Sequence, residues 1–147
     1  MLSISVQILL QLHLRKELNL NTEHLELVQL LVKLLSHPEQ FGQQMHFICV
    51  MVISSGVEEI PDCTFQECTN LSYVSIASSV KKISFSAFRT CKSLERINIP
   101  AGVADLSSGY QFYGCSALKS ITLPEGIKII NGNTFENCTS LEEVTHD

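Results

Sequence analysis

ISFSAFRTCKSLERINIPAGV at residues 83–103 and IINGNTFENCTSLEEV at residues 129–144 are two copies of one pattern, and that pattern decides the architecture. Phe65, Phe88, Phe112 and Phe135 stand 23, 24 and 23 residues apart. Each is followed after three residues by a cysteine (Cys68, Cys91, Cys115, Cys138), and after three more by a leucine (Leu71, Leu94, Leu118, Leu141). Val74, Ile97, Ile121 and Val144 come next, then Ile76, Ile99 and Leu123. Val57, Val80, Val103 and Ile127, with Ile60, Ile83, Leu106 and Ile130, complete the set. Seven apolar positions keep phase through four units, and only His146 breaks the ladder. The third unit carries one additional residue around Ser107-Ser108-Gly109, where glycine permits a bulge.

The L-x-x-I-x-I segment predicts a short strand, because period-two alternation places its second and third apolar residues on one face. The Phe-x-x-Cys segment fits one helical or 3₁₀ turn. One such unit cannot cover its own apolar side, so a core arises only when neighbouring units stack. The expected fold class is an α/β repeat: a solenoid with a parallel β-sheet on one side and a helical N-terminal segment.

The two quoted units resemble the BspA-like leucine-rich repeat, whose hallmark is an Ala/Thr-Phe-x-x-Cys-x-x-Leu-x-x-Ile-x-Ile-Pro run. Pro100 and Pro124 match its proline; the first unit has Ala77 there, and the third has Gln111 rather than a small residue before Phe112. The resemblance covers about residues 56–147. It implies a right-handed leucine-rich-repeat solenoid, a place among surface or secreted proteins of mucosal bacteria and parasitic protists, a link to adhesion, and no enzymatic residues.

Upstream, Met45, Ile48, Met51, Ile53 and Val57 repeat the spacing of Cys91, Leu94, Ile97, Ile99 and Val103, so a degenerate half-repeat should start near Phe41. The domain reading is therefore an N-terminal helical or capping segment over 1–40 and a solenoid over 41–147, comprising the half-repeat 41–55 and four repeats 56–147. Residues 22–37 read as a helix: Thr22 is a good N-cap, Glu23 suits the positive helix end, and Pro38 blocks continuation. Its wide apolar face of Leu25, Val28, Leu31, Val32 and Leu35 would cap the first rung, or serve a partner as an amphipathic helix. Residues 1–18 alternate like a strand but are leucine-rich like a helix, and both readings stand.

Composition narrows the partners. The 147 residues are 45% hydrophobic with a net charge of −5, which divides as −1 over 1–55 (three basic, four acidic) and −4 over 56–147 (seven basic, eleven acidic). No basic block exists to neutralise phosphates, so nucleic acid and anionic membrane surfaces are poor partners. No run of 18 apolar residues suggests a membrane span, and the N-terminus lacks the basic start and small-residue cleavage site of a clear signal peptide. Compartment is thus suggested only by the resemblance, as cell surface or secreted.

The candidate chemistry is structural. The periodic cysteines fall one per rung, strung along an axis rather than converging as zinc ligands do, and read as buried thiols. Cys49 and Cys63, outside the ladder, are the more exposed pair. Glu59, Lys82 and Asp105 fall on successive rungs, as do Glu95, Lys119 and Glu142, and both columns alternate in sign, which favours correct stacking. The acidic pairs Glu58-Glu59 and Glu142-Glu143 lie three rungs apart, roughly 14 Å by strand spacing, too far for a glycosidase pair. The sequons at Asn70 and Asn137 each have a core residue in the middle and read as coincidence unless the protein is secreted. No catalytic, metal or cofactor-binding residues are expected, and no cofactor.

What remains is a non-catalytic module that binds a protein or glycan ligand through the outer face of its sheet. Strand alternation assigns that face to Tyr73, Ser75, Arg96, Asn98, Ser120, Thr122, Glu143 and Thr145, with Tyr73 and Arg96 as anchors because those types dominate hot spots. The alternatives are an intracellular assembly scaffold, or a piece of a longer repeat protein without independent function. The fourth unit also leaves its last rung uncovered, which predicts self-association through the C-terminal edge.

Overall fold

The computed structural model describes residues 49–53 and 55–146. The predicted 22–37 helix, the 1–18 segment and the beginning of the half-repeat lie outside them. Nine strands follow in chain order: β1 (Cys49–Ile53), β2 (Glu59–Ile60), β3 (Leu71–Ile76), β4 (Lys82–Ile83), β5 (Arg96–Asn98), β6 (Asp105–Leu106), β7 (Ser120–Leu123), β8 (Ile129–Ile130) and β9 (Glu143–His146). The odd-numbered strands form one five-stranded parallel sheet in the order β1-β3-β5-β7-β9, and the short ones pair as β2-β4 and β6-β8.

Register follows the repeat. Met51 lies beside Val74, Val74 beside Ile97, Ile97 beside Ile121, and Ile121 beside Val144. These inward positions are buried from Met51 to Ile121. A parallel sheet needs a crossover between neighbouring strands. Here each crossover is the remainder of one rung, including its two-residue strand and its Phe-x-x-Cys turn.

That turn is not a continuous helix, and among the described residues no helix occurs. Its amide hydrogens alternate between two partners. Gln66 and Cys68 donate within the turn, to Cys63 and Phe65 carbonyls at 3.1 Å each, in the three-residue spacing of a 3₁₀ turn. Cys63, Phe65 and Glu67 instead donate to Phe85, Ala87 and Arg89 on the next rung, at 2.9, 2.7 and 2.8 Å. A helix would keep all these donors to itself, so inter-rung stacking wins because it satisfies the backbone of both units. The alternation forces left-handed backbone at one column in every unit: Glu67 (φ 63°), Thr90 (φ 57°), Gly114 (φ 70°) and Asn137 (φ 62°). Only Gly114 and Asn137 suit that conformation well.

The core is a set of columns. Phe65, Phe88 and Phe112 are buried and stack face to face, with centroids 5.1 Å apart between the first two and 5.5 Å between the second two, and Phe135 continues the stack at 5.6 Å. Gln111, at the departure from the small-residue rule, is buried as well. Its amide nitrogen approaches the Ile83 carbonyl at 3.4 Å, and its oxygen lies 3.2 Å from Thr134 Oγ1, so both polar ends are satisfied.

Candidate binding surface

The outward side chains of the main sheet form rows across the strands. Tyr73, Arg96, Ser120 and Glu143 occupy one row, each register-paired with the next, and Asn98, Thr122 and Thr145 another. Arg96, Asn98, Glu143 and Thr145 are exposed with Tyr73, while Ser75, Ser120 and Thr122 are half-buried. The Thr122 and Thr145 hydroxyls meet at 3.0 Å. All eight residues read from the sequence therefore share this one surface.

The rows extend further than those eight. Val50 pairs with Tyr73 and Val52 with Ser75, and the two valines are 55% and 50% exposed, against 42% for Tyr73. The face thus runs from an apolar end at β1, through Tyr73 and Arg96, to hydroxyls and a carboxylate at β9. The spacing of Met51 and Ile53 already implied that Val50 and Val52 point outward, but the outward list began at the first complete repeat and missed them.

Charge columns outside this face are spacers between rungs. Lys82 Nζ meets Glu59 Oε1 at 2.7 Å, Lys119 Nζ meets Glu95 Oε2 at 3.3 Å, and Lys81 meets Glu58 at 3.7 Å, all exposed. The Lys82 hydrogen bond, helped by one from Ser84, holds the Glu59 carboxyl below its ordinary value, and Glu59 in turn raises Lys82. Asp105 bonds locally, accepting from the Ser107 hydroxyl at 2.7 Å and its amide at 3.2 Å, and these bonds lower its carboxyl. Each column thus carries one inter-rung pair rather than a continuous chain. Among the described residues Arg96 forms no ion pair, so its charge is available at the centre of the face.

The cysteine ladder is closed to solvent chemistry. Cys68, Cys91 and Cys115 are buried and Cys138 half-buried. Cys91, Cys115 and Cys138 point their Sγ at the Phe65, Phe88 and Phe112 carbonyls of the preceding rung, at 3.1, 3.2 and 3.0 Å. Burial pushes the Cys91 thiol well above its ordinary range and Cys138 up to about 12. Cys63 is half-exposed. Among the described residues no three of His, Cys, Asp or Glu converge as metal ligands, and no helix is long and apolar enough to cross a membrane.

At the last rung, Ile130 and Val144 are exposed where the equivalent Ile60, Ile83 and Leu106, or Val74, Ile97 and Ile121, are buried. Phe135, Cys138 and Leu141 are only partly covered.

The chain is similar to three solved structures. One is a leucine-rich repeat protein from Bacteroides ovatus (33% identity, TM-score 0.60), covering 65% of this chain and 24% of that one. Another is a leucine-rich cell surface protein from Faecalibacterium prausnitzii (26% identity, TM-score 0.53), covering 67% and 32%. A leucine-rich repeat protein from Eubacterium ventriosum (24% identity, TM-score 0.50; 65% and 32% covered) shares the fold. The match spans a quarter to a third of those longer chains. A search of curated proteins gave no match. The family model for the BspA type leucine-rich repeat region matches residues 41–147 in six copies. With the rungs, the Phe and Cys columns and the parallel sheet all following that repeat, the chain belongs to the BspA-type leucine-rich repeat family.

Proposed function

We propose that the protein is a non-catalytic binding module of the adhesion kind, contacting a protein or glycan at a cell surface through the outward side of its five-stranded sheet. The observation that carries this reading is the composition of that face. Val50, Val52 and Tyr73 offer contiguous apolar area, and Arg96 beside Tyr73 offers a charge with no ion-pair partner among the described residues. Aromatic and arginine anchors in apolar surroundings are what interface centres are made of. The family supports it, since its members are typically protein-binding or surface proteins. A panel of purified mucosal surface glycoproteins, immobilised and probed with the full chain, tests the reading. A binder should emerge, and Tyr73→Ala with Arg96→Ala should weaken it at least about tenfold, as truncation of anchors does. Undiminished binding by that double variant would refute the assignment of this face.

A further inference from the structure

Away from the sheet, the turns of the second and third units carry three aromatic rings and a guanidinium that the core does not use. Phe85 and Tyr110 meet edge to face with centroids 5.8 Å apart, and Tyr110 and Tyr113 lie 5.4 Å apart. The Arg89 guanidinium carbon sits 5.7 Å from the Tyr110 ring centroid and 5.2 Å from that of Tyr113. Phe85 is 41% exposed, and the other three are half-buried. The equivalent positions in the first and last units hold Asp62, Cys63 and Gln66, or Gly132, Asn133 and Glu136, so stacking does not demand aromatics here.

The extra residue of the third unit and the uncommitted polar groups mark this cluster. The equivalent Cys63 and Ser86 stand at φ 56° and 54°, so the repeat itself sets the left-handed φ of 57° at Tyr110. The extra residue of the third unit lies just before it, with Gly109 at φ 87° making the bulge that places the ring. The polar groups are also uncommitted. The cation–π contact holds the Arg89 charge but leaves its N–H donors available. Among the described residues that guanidinium forms no ion pair, and neither it nor the phenol groups of Tyr110 and Tyr113 make a side-chain hydrogen bond.

We propose that Phe85, Arg89, Tyr110 and Tyr113 form a second binding site, separate from the sheet face, for an acidic carbohydrate. The C–H face of a sugar ring lies on the aromatic faces, the phenols reach its hydroxyls, and its carboxylate takes the Arg89 N–H groups as a bidentate pair. A peptide fits less well, because it would bind such a flank by adding a strand. The amides there are already engaged: Phe85 donates to Asp62 Oδ1 at 2.9 Å, Arg89 to the Ser86 carbonyl at 3.1 Å and Tyr113 to the Tyr110 carbonyl at 3.2 Å. A polyphosphate fits less well, because it has no C–H face to lie on the rings of Phe85, Tyr110 and Tyr113 and the cluster offers it only the one guanidinium of Arg89.

The test uses the full chain with hexagalacturonate and sialyllactose as probes, read by tyrosine ring resonances in NMR. Methyl-esterified hexagalacturonate and a poly-glutamate peptide serve as comparison ligands. Saturable shifts of Tyr110 and Tyr113 are expected with at least one acidic sugar. Esterification, Arg89→Gln and Tyr110→Asn should each weaken that binding about tenfold, the scale of a charge-assisted hydrogen bond. Tyr110→Asn should not lower the melting temperature, since asparagine suits φ 57° better, and Arg96→Gln should bind as the wild type does. No saturable shift with either sugar, or full binding by Arg89→Gln, would overturn the proposal. Tighter binding of poly-glutamate than of the sugars would also overturn it and mark an acidic-peptide site.

Discussion

Replacing Phe88 by alanine removes the middle of the aromatic stack. The ring is fully buried between Phe65 at 5.1 Å and Phe112 at 5.5 Å. Phe→Ala in a core costs about 3 to 5 kcal/mol, and more where the cavity cannot collapse. Here it cannot, because Phe65 and Phe112 are tied to their own neighbours by amide bonds to the Ala87 carbonyl (2.7 Å) and the Thr134 carbonyl (3.0 Å). Two ring contacts, each worth about 0.5 to 1.5 kcal/mol beyond area, disappear together. The upper half of the range, about 4 to 5 kcal/mol, is therefore expected, equivalent to a melting-temperature loss of roughly 15 to 30 °C for a domain of this size. Phe135, half-buried with a single neighbour at 5.6 Å, should lose about half as much on the same substitution. Arg96→Ala on the outer face should stay within about 0.5 kcal/mol. Circular dichroism melts and urea titrations of the three variants measure the order. Equal losses for Phe88→Ala and Arg96→Ala, or a larger loss for Phe135→Ala than for Phe88→Ala, would refute the reasoning.

Backbone strain gives an opposite-signed pair. Thr90→Asn should raise stability by up to about 1 kcal/mol, since a β-branched residue is poorly suited to φ 57°. Gly114→Val should destabilise by at least about 1 to 2 kcal/mol, because φ is +70° there and a Cβ would come within 3.1 Å of Thr90 Cγ2. In thiol labelling at pH 8, Cys63 should react before any ladder cysteine. Cys138, pushed up to about 12, should react slowly despite its partial exposure, and Cys68, Cys91 and Cys115 only after denaturation; fast native labelling of the whole ladder would show that it faces solvent. The lowered Glu59 carboxyl contributes stability that is present above its ordinary value of 4.5 and is lost as pH falls through the lower folded value. Glu59→Gln should therefore cost less than about 1 kcal/mol at pH 7, the scale of an exposed pair, and the two proteins should converge in acid; a gap that widens below pH 4 would reverse the sign.

The solenoid was legible because its determinants are periodic. Phe65, Phe88, Phe112 and Phe135 recur with Cys, Leu and Ile at fixed offsets, and each offset is a position in a stack. The outer face followed from alternation alone, so Tyr73 and Arg96 could be paired without coordinates. The turn was harder. A helical or 3₁₀ reading of Phe-x-x-Cys counts only bonds within the chain segment, whereas Cys63, Phe65 and Glu67 donate to a rung 22 residues further on. The aromatic cluster also escaped notice, because Phe85, Arg89, Tyr110 and Tyr113 sit at positions with no repeated residue type. Their departure from Asp62, Asn133 and Glu136 was visible in the sequence, but the extra residue before Tyr110 was read only as a bulge and not as what brings the rings together.

The central claim is that the outer sheet face makes the contact, and methyl NMR tests it most directly. Titrating the full chain with the tightest glycoprotein binder of the panel should shift and broaden the methyl resonances of Val50, Val52, Thr122 and Thr145, which lie on that face. Those of Ile83 and Val103, buried in the core, should stay unchanged. Perturbation confined to other surfaces, with Val50, Val52, Thr122 and Thr145 unmoved at saturation, would contradict the account.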